Sequence, residues 1–379
     1  MKTYEQDLSI PARVAEIETK VARLRKAMEK DGLAAVAITK TNNFAWITAG
    51  GDNVITRYSE NGVATVVVTK DGKRFILLNS IEEPRFRDEE KVVELGFELV
   101  CWPWYENKIG AKLKEIAGGG TIVSDNGLAG TGDGNGLIAA CQYSLLDSEI
   151  ARYLHLGKTF SAALEEMLHT VKSGDVELDI AGRIAEALWK HEVEPVLFLV
   201  AADERILKYR HCVPTHKKIG KRVMISCNGR YKGLVTKTTR FINFGKPDGD
   251  FVKKYADTLD IENRMAAATT IGADDLDVYN LAKKLYAEKG CPDMWKEHHQ
   301  GGPQGYTNGY YLMTDDCHGI VQKNQCYCYN PSITGAKTED GFIVTEDGPV
   351  FITVPISFPK EKAVINSVQV ERPGILVVD

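Results

Sequence analysis

Three histidines and one lysine in the second half of this sequence are the residues best suited to chemistry. His211 lies in the run at 210–214, and His298 and His299 are adjacent, just before a glycine-rich segment. Histidine is the natural general acid and base near neutral pH because its ordinary pKa is about 6.5. The histidines are therefore candidates for proton transfer, and hydrogen bonding within the core is the alternative for each.

Lys237 stands inside residues 233–241, which are predicted to form a strand. A buried lysine is seldom stable without a partner of opposite charge or a chemical task. Lys237 is thus a second kind of candidate, either for catalysis or for a structural ion pair.

The composition indicates what class of protein carries these residues. The chain has 379 residues, 44% of them hydrophobic and 26% charged, with a net charge of −5, which is typical of a globular protein long enough for two domains. A negative net charge gives no electrostatic reason to expect nucleic acid or an anionic membrane as partner. The eight cysteines are scattered without a CxxC pair, so we expect them to be reduced.

Localisation is predicted from two absences in the sequence. No apolar run approaches the roughly 20 residues that a membrane span needs. Residues 1–7 contain no apolar core of the kind that a secretion signal has. We therefore expect a cytoplasmic protein.

The first part of the chain, residues 1–145, is predicted to be an α/β domain. Apolar residues recur every three to four positions from Ile10 to Asp31, which predicts an amphipathic helix that ends at Gly32. A buried strand is expected at 33–39. The strand-like stretches 63–69 and 75–79 flank Asp71-Gly72, which indicates a hairpin.

The second part, residues 146–379, is predicted to be an α+β domain in which helices and strands come in blocks. The expected helices are 148–171, 177–192, 248–270 and 275–289. The expected strands are 196–201, 223–228, 233–241, 325–329, 341–344, 350–353 and one near Tyr310.

Four segments of this second part resemble, in chain order, the metal-site segments of the pita-bread hydrolases, the family of creatinase, prolidase and aminopeptidase P. The segments are 225–233, 236–241, 298–301 and 330–340. Residues 24–28, 32–35 and 41–44 resemble the N-terminal domain of creatinase and prolidase. The resemblance implies a C-terminal pita-bread fold preceded by a smaller creatinase-type α/β domain.

The peptidases of this family hold two divalent ions such as Mn²⁺ or Co²⁺ with two aspartates, one histidine and two glutamates. The resemblance puts Ser226 and Lys237 at the aspartate positions, His298 at the histidine, and Asn330 and Glu339 at the glutamates. Only His298 and Glu339 keep the residue type of the family. The ligand set is therefore largely missing.

A protonated lysine has no lone pair for a metal and repels a cation, by about 4 kcal/mol at about 4 Å for an effective dielectric near 20. We therefore expect no metal and no other cofactor. The family's fold would put Lys237 and Glu339 on facing strands, so we expect the Lys237 ammonium to pair with Glu339. An ion pair left behind by a decayed site is the alternative.

Creatinase is a member of the family that works without metal, and the resemblance extends to its histidine, which His211 matches. Thr239 and Asn330 stand where creatinase has glutamates that meet the guanidinium of creatine, so creatine itself is put in doubt. We expect both residues to bind substrate, together with His298. His299 is expected to point elsewhere if its segment is extended.

Two further expectations concern the walls of the site. The glycines at 301–305 would let the backbone approach a ligand closely, and Tyr306 could supply an aromatic wall, unless it is simply packed in the core. Arg57 matches an arginine that in creatinase reaches the substrate carboxylate of the neighbouring subunit, and arginine suits this because its planar fork makes two hydrogen bonds. A homodimer is thus predicted, and an exposed loop arginine is the alternative.

Together these residues predict a metal-independent hydrolase of a non-peptide C–N bond in a small, carboxylate-bearing molecule. His211 would move the proton from water to the leaving nitrogen, while Lys237, Asn330 and Glu339 orient the substrate and stabilise charge. Three alternatives remain: a C–N or C–S lyase, a non-catalytic pita-bread binding module, and an Xaa-Pro peptidase-like metalloenzyme with unusual ligands.

Overall fold

The computed structural model describes residues 3–379, so the first two residues of the N-terminal segment discussed above lie outside it. The chain forms two compact units, Glu5–Ser148 and Glu149–Asp379. Among residues 3–379, no helix combines the length and the apolar character needed to cross a membrane.

The first unit is built on one six-stranded sheet. Its helices are α1 (Ile10–Asp31), α2 (Thr41–Ile47), α3 (Glu83–Asp88), α4 (Ile109–Ile116) and α5 (Asn135–Gln142), with a short 3₁₀ turn at Leu128–Gly130. Its strands are β1 (Ala35–Lys40), β2 (Asn61–Thr69), β3 (Arg74–Asn79), β4 (Glu98–Trp102), β5 (Ile122–Ser124) and β6 (Gly132–Asp133). The strand order is β4-β3-β2-β1-β5-β6.

Helix α1 illustrates why the sequence predicted this unit well. The Ser9 hydroxyl accepts a hydrogen bond from the backbone N–H of Ala12, and Gly32 ends the helix in a left-handed conformation, with φ of 65°. The apolar stripe that includes Ile17 and Leu24 is buried. The predicted helix bounds and the hairpin formed by β2 and β3 are both confirmed.

The second unit combines five helices with a mostly antiparallel sheet. Its helices are α6 (Asp147–Leu168), which begins just before the division, α7 (Glu177–Trp189), α8 (Glu204–Lys208), α9 (Gly249–Ala268) and α10 (Asp275–Glu288), with a 3₁₀ turn at Met294–Glu297. The strands are β7 (Glu194–Ala202), β8 (Arg222–Tyr231), β9 (Leu234–Phe244), β10 (Gly301–Gln304), β11 (Cys326–Tyr329), β12 (Ser332–Ile333), β13 (Ala336–Lys337), β14 (Asp340–Thr345), β15 (Gly348–Phe351), β16 (Lys360–Ile365), β17 (Val368–Pro373) and β18 (Leu376–Val378).

The main sheet of this unit has the order β10-β11-β14-β9-β8-β7, with β15 on β14 and β18 on β9. In the β8–β9 ladder, Ser226 lies opposite Thr239 and Asn228 lies opposite Lys237. Successive side chains of a strand point to opposite faces of the sheet. Ser226, Lys237 and Thr239 therefore share one face.

The other face of the same strands carries a buried ionic network. Arg240 contacts the carboxylates of Asp340, at 3.0 Å, and of Glu165 on α6, at 3.5 Å. Arg372 on β17 contacts Glu262 on α9, at 2.7 Å, and also Asp340, at 3.4 Å. These contacts join α6, α9, β9, β14 and β17 beneath the face that carries the candidate residues.

One expectation about residues 301–310 is wrong. The strand of this region is β10, Gly301–Gln304, instead of a strand near Tyr310. At Gly301 the lack of a side chain permits a close approach of the neighbouring strand, because a Cβ there would lie 2.1 Å from the carbonyl oxygen of Cys328 on β11. Gly301 also has a φ of +87°, which favours glycine.

Candidate functional site

Glu339, just before β14, is the centre of a buried polar cluster. Its Oε2 accepts hydrogen bonds from the hydroxyls of Ser226, at 2.8 Å, and Thr239, at 2.9 Å. The ammonium of Lys337 lies 2.8 Å from the same oxygen and 3.1 Å from the Ser226 hydroxyl. Strands β8, β9 and β13 thus each supply a donor to one carboxylate.

The charge of Glu339 is set by these neighbours. Burial by itself would raise the pKa of the carboxyl, but the positive charges of Lys337 and Lys237 and the hydrogen bonds lower it to about 2. Glu339 is therefore an anion at any physiological pH, and Lys337 is its ion-pair partner.

The expected pairing of Lys237 with Glu339 is corrected by this arrangement. The Lys237 ammonium is partly exposed and donates to the backbone carbonyl of Asn308, in the loop after β10. Lys237 contributes to the field at Glu339 at longer range, while the direct ion pair belongs to Lys337. The register explains this, since Lys237 lies two pairs further along the β8–β9 ladder than Thr239, which contacts Glu339 directly.

Lys337 is the residue that the sequence analysis missed, although a signal was available. Lys337 and Glu339 are two positions apart in a stretch of short strands, and residues two apart in an extended chain share a face. A lysine and a glutamate at that spacing would have indicated an ion pair on one face of the segment.

The three candidate histidines converge beside this cluster. The Nε2 atoms of His298 and His211 are 3.1 Å apart, and the His299 ring centroid is 4.5 Å from that of His298 and 6.1 Å from that of His211. The expectation that His299 points elsewhere is therefore wrong. The segment turns at Gly301, whose N–H donates to Nδ1 of His299 at 3.2 Å and holds the ring beside its neighbours.

His298 and His211 differ in their environments. His298 is buried, and this burial, reinforced by the positive charge of Lys337, lowers its pKa to about 3. His298 is thus a neutral imidazole at physiological pH. His211 is exposed, so it can exchange protons with solvent or with a bound molecule.

Three other candidate residues are placed differently from one another. Asn330 is buried after β11, and its Oδ1 finds no hydrogen-bond partner among residues 3–379. Tyr306 is also buried, but its hydroxyl donates to Glu149 at 2.7 Å and accepts from Arg152, so it serves the core instead of an open wall. Arg57 lies in the exposed segment between α2 and β2 of the first unit.

The cluster around Glu339 does not fit a pair of divalent ions. Glu339 Oε2 is already surrounded by the hydroxyls of Ser226 and Thr239. The Lys337 ammonium, which has no lone pair, contacts the same carboxylate, and Lys237 adds a second positive charge nearby. An additional cation beside it would meet direct charge repulsion.

A different group of residues could hold a single ion. One ring nitrogen from each of His211, His298 and His299 can be chosen so that the three lie within 4.8 Å of one another. Imidazole nitrogens suit single transition metal ions such as zinc, copper, iron or nickel. The site thus offers two arrangements, a metal-free charge pair at Glu339 and a histidine cluster next to it.

Comparison with known sequences places the chain among peptidase-like proteins. Residues 152–346 match the sequence family described as metallopeptidase family M24, and residues 20–124 match the creatinase/prolidase N-terminal domain. An uncharacterized peptidase of Staphylococcus aureus (strain MW2) is 21% identical over 313 residues, which are 76% of this chain and 87% of that protein.

Solved structures show the same fold. The Xaa-Pro dipeptidase from Bacillus anthracis is 19% identical, with a TM-score of 0.75 over 96% of this chain and all of its own. The prolidase from Pyrococcus horikoshii OT3 is 17% identical, with a TM-score of 0.74 over 88% of this chain and 97% of its own. The predicted fold class, a C-terminal pita-bread fold preceded by a smaller creatinase-type α/β domain, is confirmed.

Proposed function

Because the chain belongs to metallopeptidase family M24, whose members are hydrolases, we propose that it is a metal-independent hydrolase of a non-peptide C–N bond. Its substrate in this proposal is a small molecule that carries a carboxylate. The family membership bears out the resemblance to creatinase and prolidase, and the site chemistry supports the finer statement.

The observation that carries the proposal is the position of the Lys337 ammonium. It contacts both Glu339 and Ser226, which the resemblance aligns with two metal-ligand positions of the family's peptidases. A fixed positive charge there can do part of what a metal does, since preorganised donors stabilise negative charge that develops during a reaction. Lys337 replaces Lys237 as the residue that we propose for this task.

His211 is proposed as the acid and base. An exposed imidazole next to a neutral, buried His298 can take a proton from water while the water oxygen attacks the carbon. The C–O bond forms, the C–N bond breaks, and His211 returns the proton to the leaving nitrogen. The buried Oδ1 of Asn330, which lacks a partner among residues 3–379, is a suitable acceptor for a substrate N–H.

The remaining proposed substrate contacts are Thr239, His298 and Lys237. Thr239 and His298 line the polar face around Glu339, and Lys237 adds positive charge at the rim. Arg57 as a clamp from a neighbouring subunit remains a prediction, and so does the homodimer that it requires.

A chelation and substitution experiment tests this function. Protein stripped with EDTA is assayed for ammonia or amine release from a panel of guanidino, ureido and N-carbamoyl acids and Xaa-Pro dipeptides. We expect turnover of a non-peptide substrate that EDTA leaves unchanged and that His211→Ala lowers by about 10²–10⁴-fold. His216→Ala, an exposed histidine on the same loop, is the matched control and should retain activity.

Product analysis separates hydrolysis from the other candidate classes. In H₂¹⁸O, hydrolysis incorporates the label into the product at the cleaved carbon, whereas a lyase that eliminates the nitrogen or sulfur does not. If the protein turns over no member of the panel and the His211→Ala variant behaves like the parent, the results would favour a non-catalytic binding module instead.

A second candidate function is an Xaa-Pro peptidase-like metalloenzyme with unusual ligands. It is favoured by the names of the relatives, a peptidase and an Xaa-Pro dipeptidase, and by the convergence of His211, His298 and His299. In this case the three imidazoles would hold one transition metal ion, which would supply Lewis acidity for amide cleavage.

Metal content decides between the two candidates. Elemental analysis of protein purified without added metal, before and after EDTA, is compared with the rate of Xaa-Pro dipeptide cleavage. The peptidase would be established by near-stoichiometric metal in the purified protein, provided that removing the metal abolishes dipeptide cleavage. His299→Ala should then weaken metal binding. Non-peptide turnover by the stripped protein would exclude it.

A further inference from the structure

A small cavity behind His298 has a lining that fits an anion. It has a volume of about 10 Å³ and is lined by Arg210, His298, Ser332 and Lys337, among others. This is about the room that one water-sized atom needs. The cavity therefore suits a single oxygen atom better than a bulky group.

Three of the lining residues carry buried polar atoms whose hydrogen-bonding capacity is unused. Nε of Arg210, Nδ1 of His298 and Oγ of Ser332 have no hydrogen-bond partner among residues 3–379. His298 is 7% exposed and Ser332 only 3%, so solvent does not readily replace the missing partner. Buried polar atoms are normally paired, and several unpaired ones around one cavity indicate a missing ligand.

All of these atoms can act as donors, and the charges of the lining are positive. Arg210 is half-buried and its Nη2 donates to the hydroxyl of Thr334, at 3.0 Å, instead of to a carboxylate. Lys337 is positive as well and is matched by Glu339, whereas Arg210 has no carboxylate partner among residues 3–379. A site with donors and a net positive charge binds an acceptor with negative charge.

We propose that this cavity is an oxyanion subsite that binds one oxygen of the substrate carboxylate, with Arg210 as its charged anchor. The inference rests on the proposed function for the identity of the substrate, but not for anion binding itself. The clamp on the carboxylate then comes from the chain that carries His211, and Arg57 of a neighbouring subunit is not needed for it.

Occupancy of the subsite also fixes the tautomers of the two histidines. An anion at Nδ1 of His298 requires the proton on that nitrogen, so Nε2 of His298 carries the lone pair. It then accepts from the Nε2–H of His211, 3.1 Å away, which leaves Nδ1 of His211 as the basic nitrogen. Binding of the carboxylate thereby prepares the base.

Calorimetric titration with sodium formate in chloride-free Hepes tests anion binding without any enzyme assay. We expect saturable binding of about one formate per chain, weakened roughly tenfold or more by Arg210→Met and several-fold by Ser332→Ala. Arg210→Lys is the second variant in case the methionine variant is poorly folded, and it should also bind formate less tightly than the parent. Arg87→Met, at an exposed arginine of α3 that pairs with Glu83, is the matched control and should bind formate like the parent.

A kinetic comparison ties the subsite to the substrate. With the substrate found in the panel, Arg210→Met should raise KM at least tenfold with kcat within about threefold, and it should leave the KM of the corresponding carboxamide unchanged. The proposal would be overturned if formate affinity and KM were unchanged in both Arg210 variants. It would also be overturned if Arg57→Met, instead of the Arg210 variants, weakened formate binding and raised KM. Normal formate binding without turnover of any panel member would contradict the proposed function and leave the subsite standing.

Discussion

The ammonium of Lys337 lies 2.8 Å from the carboxylate of Glu339, and each of the two side chains is 6% exposed. Lys360 and Glu371 form an ion pair of the same length on the surface, with exposures of 41% and 49%. The two pairs have the same length, but the first is buried and Glu339 also accepts hydrogen bonds from Ser226 and Thr239. Comparing them therefore measures what the buried environment adds to an ion pair.

Breaking the buried pair from one side is expected to be costly. Lys337→Met leaves Glu339 as an uncompensated buried charge, so we predict a loss of about 3–5 kcal/mol in the free energy of unfolding. Lys360→Met should change it by no more than about 1 kcal/mol. Urea unfolding of both variants at pH 7 checks this, and equal losses would contradict the assigned difference in burial.

Lys237→Met should cost much less than Lys337→Met, because Lys237 is partly exposed and its ammonium donates to a backbone carbonyl. We expect a change of about 1 kcal/mol or less in the same urea titration. A loss as large as that of Lys337→Met would mean that Lys237 is the principal partner of Glu339.

Rebuilding the family's carboxylates should not by itself restore a metal centre. The triple change Ser226→Asp, Lys237→Asp and Asn330→Glu leaves the Lys337 ammonium in contact with Glu339. The ammonium repels a bound cation by about 4 kcal/mol per unit of the cation's charge at about 4 Å. This corresponds to roughly a 10³-fold loss in metal affinity per unit charge. Adding Lys337→Met should therefore tighten Mn²⁺ binding, measured by equilibrium dialysis, whereas adding Lys360→Met should not.

Glu262 should make stability depend on pH. Burial raises its pKa to about 7, although Arg372 acts in the opposite direction, and the ordinary value is 4.5. Between these values the folded state binds a proton that the unfolded state does not, so this stabilisation is present below about pH 4.5 and is lost as the pH rises through about 7.

The Glu262→Gln variant tests this, because an amide does not titrate. Its free energy of unfolding should fall less than that of the parent between pH 5 and pH 8, by up to about 3 kcal/mol for a shift of this size. Glu371→Gln, at the surface, is the control and should follow the parent. Parallel curves for parent and Glu262→Gln would contradict the raised pKa.

Gly301 should tolerate no side chain. In Gly301→Ala the new Cβ would lie 2.1 Å from the Cys328 carbonyl oxygen, whereas at Gly290, which also has positive φ, nothing lies within 4 Å of the added atom. We expect Gly290→Ala to lose about 1–2 kcal/mol of stability from the backbone conformation alone. Gly301→Ala should lose clearly more because β10 must move, and thermal unfolding of the two variants compares them.

Helices and strands whose apolar residues recur at a regular spacing were predictable from the sequence. Contacts across the sheet were less predictable. The bounds of α1 follow from its apolar stripe and its caps, whereas β9 ends three residues beyond the predicted strand at 233–241. The strand near Tyr310 was wrong because tyrosines have strand composition. The true strand, β10, consists of glycines, proline and glutamine, which carry no strand signal but are required by the neighbouring backbone.

The site was predictable in membership but not in pairing. Glu339, His211 and His298 do lie near one another, as the resemblance implied. The partner of Glu339 could not be chosen by spacing along the family pattern, because pairing depends on which side chain reaches the carboxylate in space. The convergence of His299 with His298 depends on the turn at Gly301, which no periodic pattern reveals.

Alternate residues of the strands beneath the site face two different environments, the buried ionic network and the site itself. Along β9, Thr238 and Arg240 are tied to Asp340, while Lys237 and Thr239, which alternate with them, face the other way. A substitution on one side leaves the other side's neighbours untouched. The polar side chains on the site face can thus differ between proteins while the ionic network on the opposite face holds the same strands together, which fits a fold that is shared at 19% identity.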